Sequence, residues 1–374
     1  MIKDRAQKKL AAKFCAAQGI IPFVEVMIFA QTGLEEQPAA ITDVDVLGLD
    51  LGRAGTVQRI LFDCKTAAKQ SGINRALWAS GLKSLVHADR VFVIQKNDSP
   101  DTHKLAANTL DVHINSEDNF TRYAMAVAPN FAKNVTYLDD LDVWDRFLSL
   151  KKLQPALTNA LLFLTTHAAL ELSGPKGVRT GLAFLLKVSG ELDPMKPMHA
   201  TLFRAYLSAI LIFLSLSTSS LKDVFQFSMK RESFEQRLRY FVWEGREQYS
   251  NRRQMKAAIE RAKGEAGPVE FDLPSWGQFV ELMRSFLDAP EAIPSLAFLA
   301  KEIAFRTAST PKVEIDDHLR QYFHSNKRAR QFIFGTASYL VNAAQLPKEF
   351  STNLESDINL LIDGAPSAAP PKLL

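Results

Sequence analysis

At 374 residues, with 47% of them hydrophobic and a formal net charge of +4, the chain is long enough for two ordinary domains and too apolar for a disordered polyelectrolyte. Its two cysteines, Cys15 and Cys64, exclude a disulfide scaffold, and no Cys/His cluster has zinc spacing. The mild positive charge permits a polyanionic partner without requiring one.

In chain order, Lys3 to Gln18 reads as a helix, with Leu10, Ala11, Phe14 and Cys15 at helical spacing and Gly19 as a stop. Phe23 to Phe29 is a β-branched and aromatic run, expected as a strand. Gln31 to Ala40 reads as a loop. Thr42 to Leu49 and Val57 to Cys64 are expected strands joined by a turn around Gly52 and Gly55. A helix over Asn74 to His87, a strand over Val91 to Gln95, a short helix over Lys104 to Leu110 and a strand over Val112 to Ile114 follow. The expected N-terminal unit, residues 1–135, is therefore an α/β domain, a mixed sheet flanked by helices.

From about Leu141 helical periodicity dominates, through Val143–Lys152, Ala156–Leu172, Thr180–Val188, Thr201–Leu216, Phe234–Lys263, Trp276–Leu287, Ser295–Phe305 and Arg328–Asn342. An all-α second domain over 141–350 is expected, with 351–374 a partly disordered tail. The most apolar run, Tyr206 to Leu216, falls short of the about 20 residues a membrane-spanning helix needs, so it reads as a buried core helix. The first ten residues lack the apolar stretch of a signal peptide, and a cytoplasmic protein without membrane attachment is expected.

The segment with the most chemistry runs from Ile41 to Thr66. Side chains alternate faces along a strand, so Asp63 and Lys65 share one face and Cys64 takes the other. Asp43 and Asp45 likewise share a face on the preceding strand. If the two strands pair in register, Asp45 lies across from or diagonal to Asp63. Two carboxylates and the backbone carbonyl of Cys64 suit a hard cation such as Mg2+ or Mn2+. Lys65 would orient an attacking water and stabilise developing negative charge. An Asp-x-Lys triplet equally fits a surface ion pair, but this one ends the apolar run Ile60-Leu61-Phe62, and buried charge needs partners or a metal.

The order helix, three strands, helix, strand, with Thr42-Asp43-Val44-Asp45-Val46-Leu47 on the second strand and Asp63-Cys64-Lys65 on the third, resembles the PD-(D/E)XK, or restriction-endonuclease-like, nuclease superfamily. The resemblance covers about the first third of the chain. It implies a Mg2+-dependent (or Mn2+-dependent) deoxyribonuclease in which Asp45 and Asp63 bind metal and Lys65 assists the water. It also implies a setting in restriction, phage defence or DNA processing. Many members carry a first-helix glutamate that completes the metal shell; this helix has none, and Glu25 on the first strand is either a substitute or an ordinary solvent-facing residue. The alternatives are a catalytically degenerate module that binds DNA or acts as a scaffold, and an RNA nuclease.

Lys69, Gln70 and Arg75 follow the lysine motif and are candidate phosphate contacts, or simply solvate a helix start. Lys230 to Lys263 holds ten Lys/Arg against five Asp/Glu, interleaved with aromatics. Arginine-aromatic interleaving fits nucleic acid, but also amphipathic helices with paired charges. Arg320, Lys327, Arg328 and Arg330 form a second basic cluster and a better candidate for phosphate. DNA is the expected partner, with a further protein chain or a second copy engaged through the helical domain. No Gly-Lys-Ser/Thr phosphate loop is present, so ATPase action would need another chain.

Overall fold

The computed structural model of the chain describes residues 2–30, 39–52, 56–66, 71–225, 228–264 and 270–363. The N-terminal half runs α1 (Arg5–Ala17), β1 (Ile21–Phe29), β2 (Ala40–Asp50), β3 (Gln58–Lys65), α2 (Gly72–Val86), β4 (Arg90–Gln95), α3 (Asp101–Asn108), β5 (Val112–Ser116) and α4 (Glu117–Val127). The strands form one sheet in sequence order. β1, β2 and β3 are an antiparallel meander, while β4 and β5 join in parallel. Parallel neighbours need crossovers, and α2 and α3 supply them.

The mixed sheet and the strand positions agree with the expectation from the sequence. The helix α4 was not anticipated. Its start is marked by Ser116, whose hydroxyl accepts from the Asn119 N–H, and by Glu117 and Asp118 in the first turn. Its sparse apolar residues hid it: of the helix only Phe120 and Ala124 are buried.

One face of the sheet carries α1 over an aromatic cluster. Phe14 of α1 meets Phe62 of β3, Phe92 of β4 and Phe120 of α4 at ring distances of 6.0, 6.0 and 5.3 Å. Gly48 of β2 lets α1 approach this closely, because a Cβ there would lie 2.7 Å from Cys15 Sγ. The buried face of α1 reaches one turn further back than its apolar residues do, taking in Gln7 and Lys8.

The C-terminal half is helical. α5 (Leu141–Leu153) leads into α6 (Thr158–Leu162) and α7 (Ala168–Leu170), which a widened turn at Phe163–His167 joins. α8 (Gly174–Lys187), α9 (Pro197–Leu221), α10 (Arg231–Val242), α11 (Arg246–Ala262) and α12 (Trp276–Leu287) follow. The last four are α13 (Ile293–Ala308), α14 (Val313–Ser325), α15 (Ala329–Ala343) and α16 (Glu349–Asp363). Lys230 to Lys263 is thus two helices broken at Gly245, whose φ of 128° an L side chain rarely adopts. The helical half runs on through α16, which buries Phe350, Leu354, Ile358 and Leu361, so of the expected tail residues 351–363 are helix. α9 is long and apolar enough to cross a membrane, but it is buried inside the protein against α8 and α13.

The two halves share one core. β1 packs on the Phe163–His167 turn and on α13, and Lys301 Nζ of α13 lies 3.3 Å from the ring centre of Phe23. Glu302 beside it accepts from the Thr136 hydroxyl and, at 2.8 Å, from the Tyr137 N–H.

Candidate functional site

The chemistry gathers where β2 and β3 part. Their pairing runs from Asp50↔Gln58 to Val46↔Phe62, and one more step sets Asp45 opposite Asp63. β1 extends the same row: Val24 pairs with Val46 and Val26 with Val44, so Glu25 falls opposite Asp45. Glu25 has a left-handed φ of 58°, unfavourable for a non-glycine residue within a strand. By register, three acids therefore occupy neighbouring positions on three adjacent strands.

The Asp45 carboxylate lies in the gap between β2 and β3, accepting from the Cys64 N–H at 2.8 Å. Backbone N–H and C=O of one strand residue point the same way, so the Cys64 carbonyl faces this gap as well. Lys65 Nζ reaches Asp45 Oδ2 at 3.0 Å, and Lys8 Nζ from α1 reaches Asp45 Oδ1 at 2.8 Å. Lys8 also bonds Glu25. Asp63 turns to Arg75 of α2, whose Nε donates to Asp63 Oδ2 at 2.8 Å with a second bond from Nη2. The end of β3 is tied down by Asp4 and Gln7, which bond the Thr66 N–H and hydroxyl at 2.9 and 3.0 Å. Gln7 in turn donates to Glu117 of α4 at 2.5 Å.

Burial raises the Asp63 carboxyl above the ordinary aspartate range, against the opposing pull of Arg75. Burial raises Glu25 as well, with Lys8 opposing. For Lys65 burial pulls the ammonium down, but Asp45 and Asp63 outweigh it and the group is held above the ordinary lysine value. Lys8 is raised further by Asp45 and Glu25, again against burial. Both lysines are therefore cations at neutral pH.

Asp45 and Lys65 form an ion pair, Asp63 pairs with Arg75, and Cys64 packs fully buried. Arg75 belongs to the same site, as the partner of Asp63. Lys69 and Gln70 lie outside the described residues. Of the second basic cluster, Arg320 bonds Asp317 and the Leu361 carbonyl, Arg328 bonds Asp288, Arg330 reaches Asn359, and Lys327 is exposed. The residue that the sequence reading missed is Lys8. The signal was its spacing: Lys8, Ala11, Ala12 and Cys15 mark one helix face, a face that is buried.

Asp45 and Asp63 offer oxygen donors of the kind a hard divalent cation takes, with Asp63 paired to Arg75. Among the described residues Glu25, Asp43 and Asp45 are a group whose carboxylate oxygens lie within 4.8 Å of one another. Compared with family models, curated proteins and solved structures, the chain matches none of them.

Proposed function

We propose that the chain is a divalent-cation-dependent deoxyribonuclease with a restriction-endonuclease-like core in its N-terminal half. The observation that carries this reading is the Lys65 ammonium on the Asp45 carboxylate, at the fork of two strands, with Asp63 one register step beyond the Val46–Phe62 pair. The element order supports it: a helix, a three-strand meander, a crossing helix and a fourth strand parallel to the third.

Asp45, Asp63 and the Cys64 carbonyl would hold Mg2+ or Mn2+. When bound, such an ion polarises a phosphoryl oxygen and acidifies water. Lys65, held protonated by its neighbours, donates hydrogen bonds and positive charge to the attacked phosphate and to the incoming water. It cannot accept that water's proton, so the proton leaves through solvent or substrate oxygen. Arg75 steadies Asp63 and is partly exposed, able to turn toward a phosphate oxygen.

The helical half would grip the polyanion. α11 is the best surface for this: only Tyr249 of that helix is buried. Among the described residues Arg246, Arg253 and Lys263 have no carboxylate partner.

One observation favours a second reading, a catalytically degenerate module that binds DNA without cutting it. Lys8, Lys65 and Arg75 already neutralise Glu25, Asp45 and Asp63 within the chain. The two readings separate on incubation with plasmid, linear duplex, single-stranded DNA and RNA, in Mg2+, Mn2+ or EDTA. Cleavage lost with EDTA, in Asp63→Ala and in Lys65→Ala supports the nuclease. Binding with no cleavage of any substrate supports the degenerate module. Cleavage of RNA alone would move the substrate class.

A further inference from the structure

We propose that the Lys8 ammonium takes the place of a divalent ion between Glu25 and Asp45 and bars one from that side of the site, so that the cluster holds at most a single ion, at Asp45 and Asp63. The ion count deepens the nuclease reading and rests on it; the exclusion at Glu25 rests on Lys8 alone.

Lys8 Nζ bridges two acids on adjacent strands, at 2.8 Å from Asp45 Oδ1 and in contact with Glu25 Oε1. Those acids and Asp43 have their oxygens within 4.8 Å of one another, a spacing that suits one small cation. The ammonium fills that space. An ion on the Glu25 side of Asp45 would have to share the Oδ1 that this ammonium already holds, whereas Oδ2 faces Lys65 at the rim.

Lys8 also has nowhere to go. Its side chain is 3% exposed, whereas those of Lys65 and Arg75 are 23% and 17% exposed and lie at the rim. It springs from the buried face of α1, and that helix is fixed by Phe14 in the aromatic cluster and by the close approach of Cys15 to Gly48. Lys65 and Arg75 can swing aside for an ion or a phosphate; Lys8 can do so only if α1 lifts from the sheet. Charge balance points the same way. Removing the Lys8 charge leaves half-buried Glu25, exposed Asp43 and buried Asp45 with Lys65 as the one cation bonded to them among the described residues, and the buried Asp45 carboxylate then needs another counter-ion.

The test is Mn2+ titration of the full chain by calorimetry, with free Mn2+ followed by electron paramagnetic resonance. The wild type is compared with Lys8→Gln, Lys8→Met and the double variant Lys8→Gln/Glu25→Gln. The expected result is that Lys8→Gln binds one Mn2+ more than wild type, or binds at least roughly tenfold tighter (about 1.4 kcal/mol). The double variant loses that gain. A Lys8 variant that folds only with Mn2+, its melting temperature rising more steeply with Mn2+ than that of wild type, gives the same answer. Equal stoichiometry and affinity in wild type and Lys8→Gln overturns the proposal. So does failure of both single variants to fold in saturating Mn2+, because the ion would have replaced the missing charge. DNA cleavage plays no part in these readouts, so a protein that never cuts can still pass the test, and one that cuts can still fail it.

Discussion

Lys65 Nζ lies 3.0 Å from Asp45 Oδ2, on the far side of the carboxylate from Lys8, which holds Asp45 Oδ1. One aspartate is thus clamped by a partly exposed lysine and a buried one, and the two lysines do different work. Lys8 is structural counter-charge. Lys65, partly exposed at the rim, is the one that meets substrate on the nuclease reading.

This asymmetry separates stability from activity. Asp45→Asn leaves Lys8 with Glu25 only and is expected to cost about 3 kcal/mol, at the low end for breaking a buried pair. Lys65→Ala leaves Asp45 with Lys8 and should cost about 1 kcal/mol or less. On the nuclease reading it should nonetheless lower cleavage by about 10²–10³-fold. Urea denaturation alongside a plasmid assay checks both. Equal destabilisation by the two variants would contradict the division of roles.

Glu302 predicts the pH dependence of stability. Burial pushes its carboxyl up from about 4.5 to about 8, against the pull of the Thr136 and Tyr137 hydrogen bonds. The folded state therefore holds a proton that the unfolded state gives up above about 4.5. The contribution is complete below that pH and is lost as pH rises through about 8. Wild type should lose stability relative to Glu302→Gln between pH 5 and pH 8.5. A difference between the two proteins that does not change with pH would refute it.

Lys301, the preceding residue, has the opposite sign. Burial pushes its ammonium well below the ordinary lysine value, and its surroundings are the Phe23 and Trp144 rings beside a cavity of about 10 Å³. The folded state holds fewer protons there than the unfolded state, so its penalty eases as pH climbs toward the ordinary value. Lys301→Met keeps the side-chain length and removes the ammonium. It is expected to raise stability by about 1–3 kcal/mol, most at acid pH and least near pH 10. A melting temperature lowered at pH 6 would argue that the ammonium is needed.

The basic surface of α11 yields a binding prediction. Reversing Arg246 and Arg253 of α11 and Lys263, which follows it, together to Glu should weaken duplex DNA binding. It should also flatten the dependence of log Kd on log salt by about one for each phosphate that the variant no longer neutralises. Fluorescence anisotropy between 50 and 200 mM salt measures this. An unchanged slope would remove α11 from the interface.

Much of the sheet was legible because its strands are apolar runs bounded by breakers, as in Val91–Gln95, and because alternation puts Asp63 with Lys65. The site was less so, for physical reasons that differ by residue. Lys8 is a polar residue on a core-facing helix turn, and such residues ordinarily mark the wet side; only the register with Ala11, Ala12 and Cys15 betrays it. Arg75 follows a segment that reads as a phosphate contact, yet its partner is Asp63, twelve residues earlier, and ion pairing across a crossover leaves no periodic trace. The left-handed backbone at Glu25 has no local signal, since neither Gly nor Asn is there. In the helical half, Gly245 between Trp243 and Tyr249 was the mark of a break that continuous periodicity concealed.

The shared core has a consequence for dissecting the molecule. Phe23 of β1 is covered by Lys301, and the Thr136–Tyr137 stretch is held by Glu302, both on α13. Severing the chain near residue 135 would strip one side of the sheet and expose an oily surface to water. The excised piece should therefore precipitate or stay molten, and the intact protein should melt in one cooperative step.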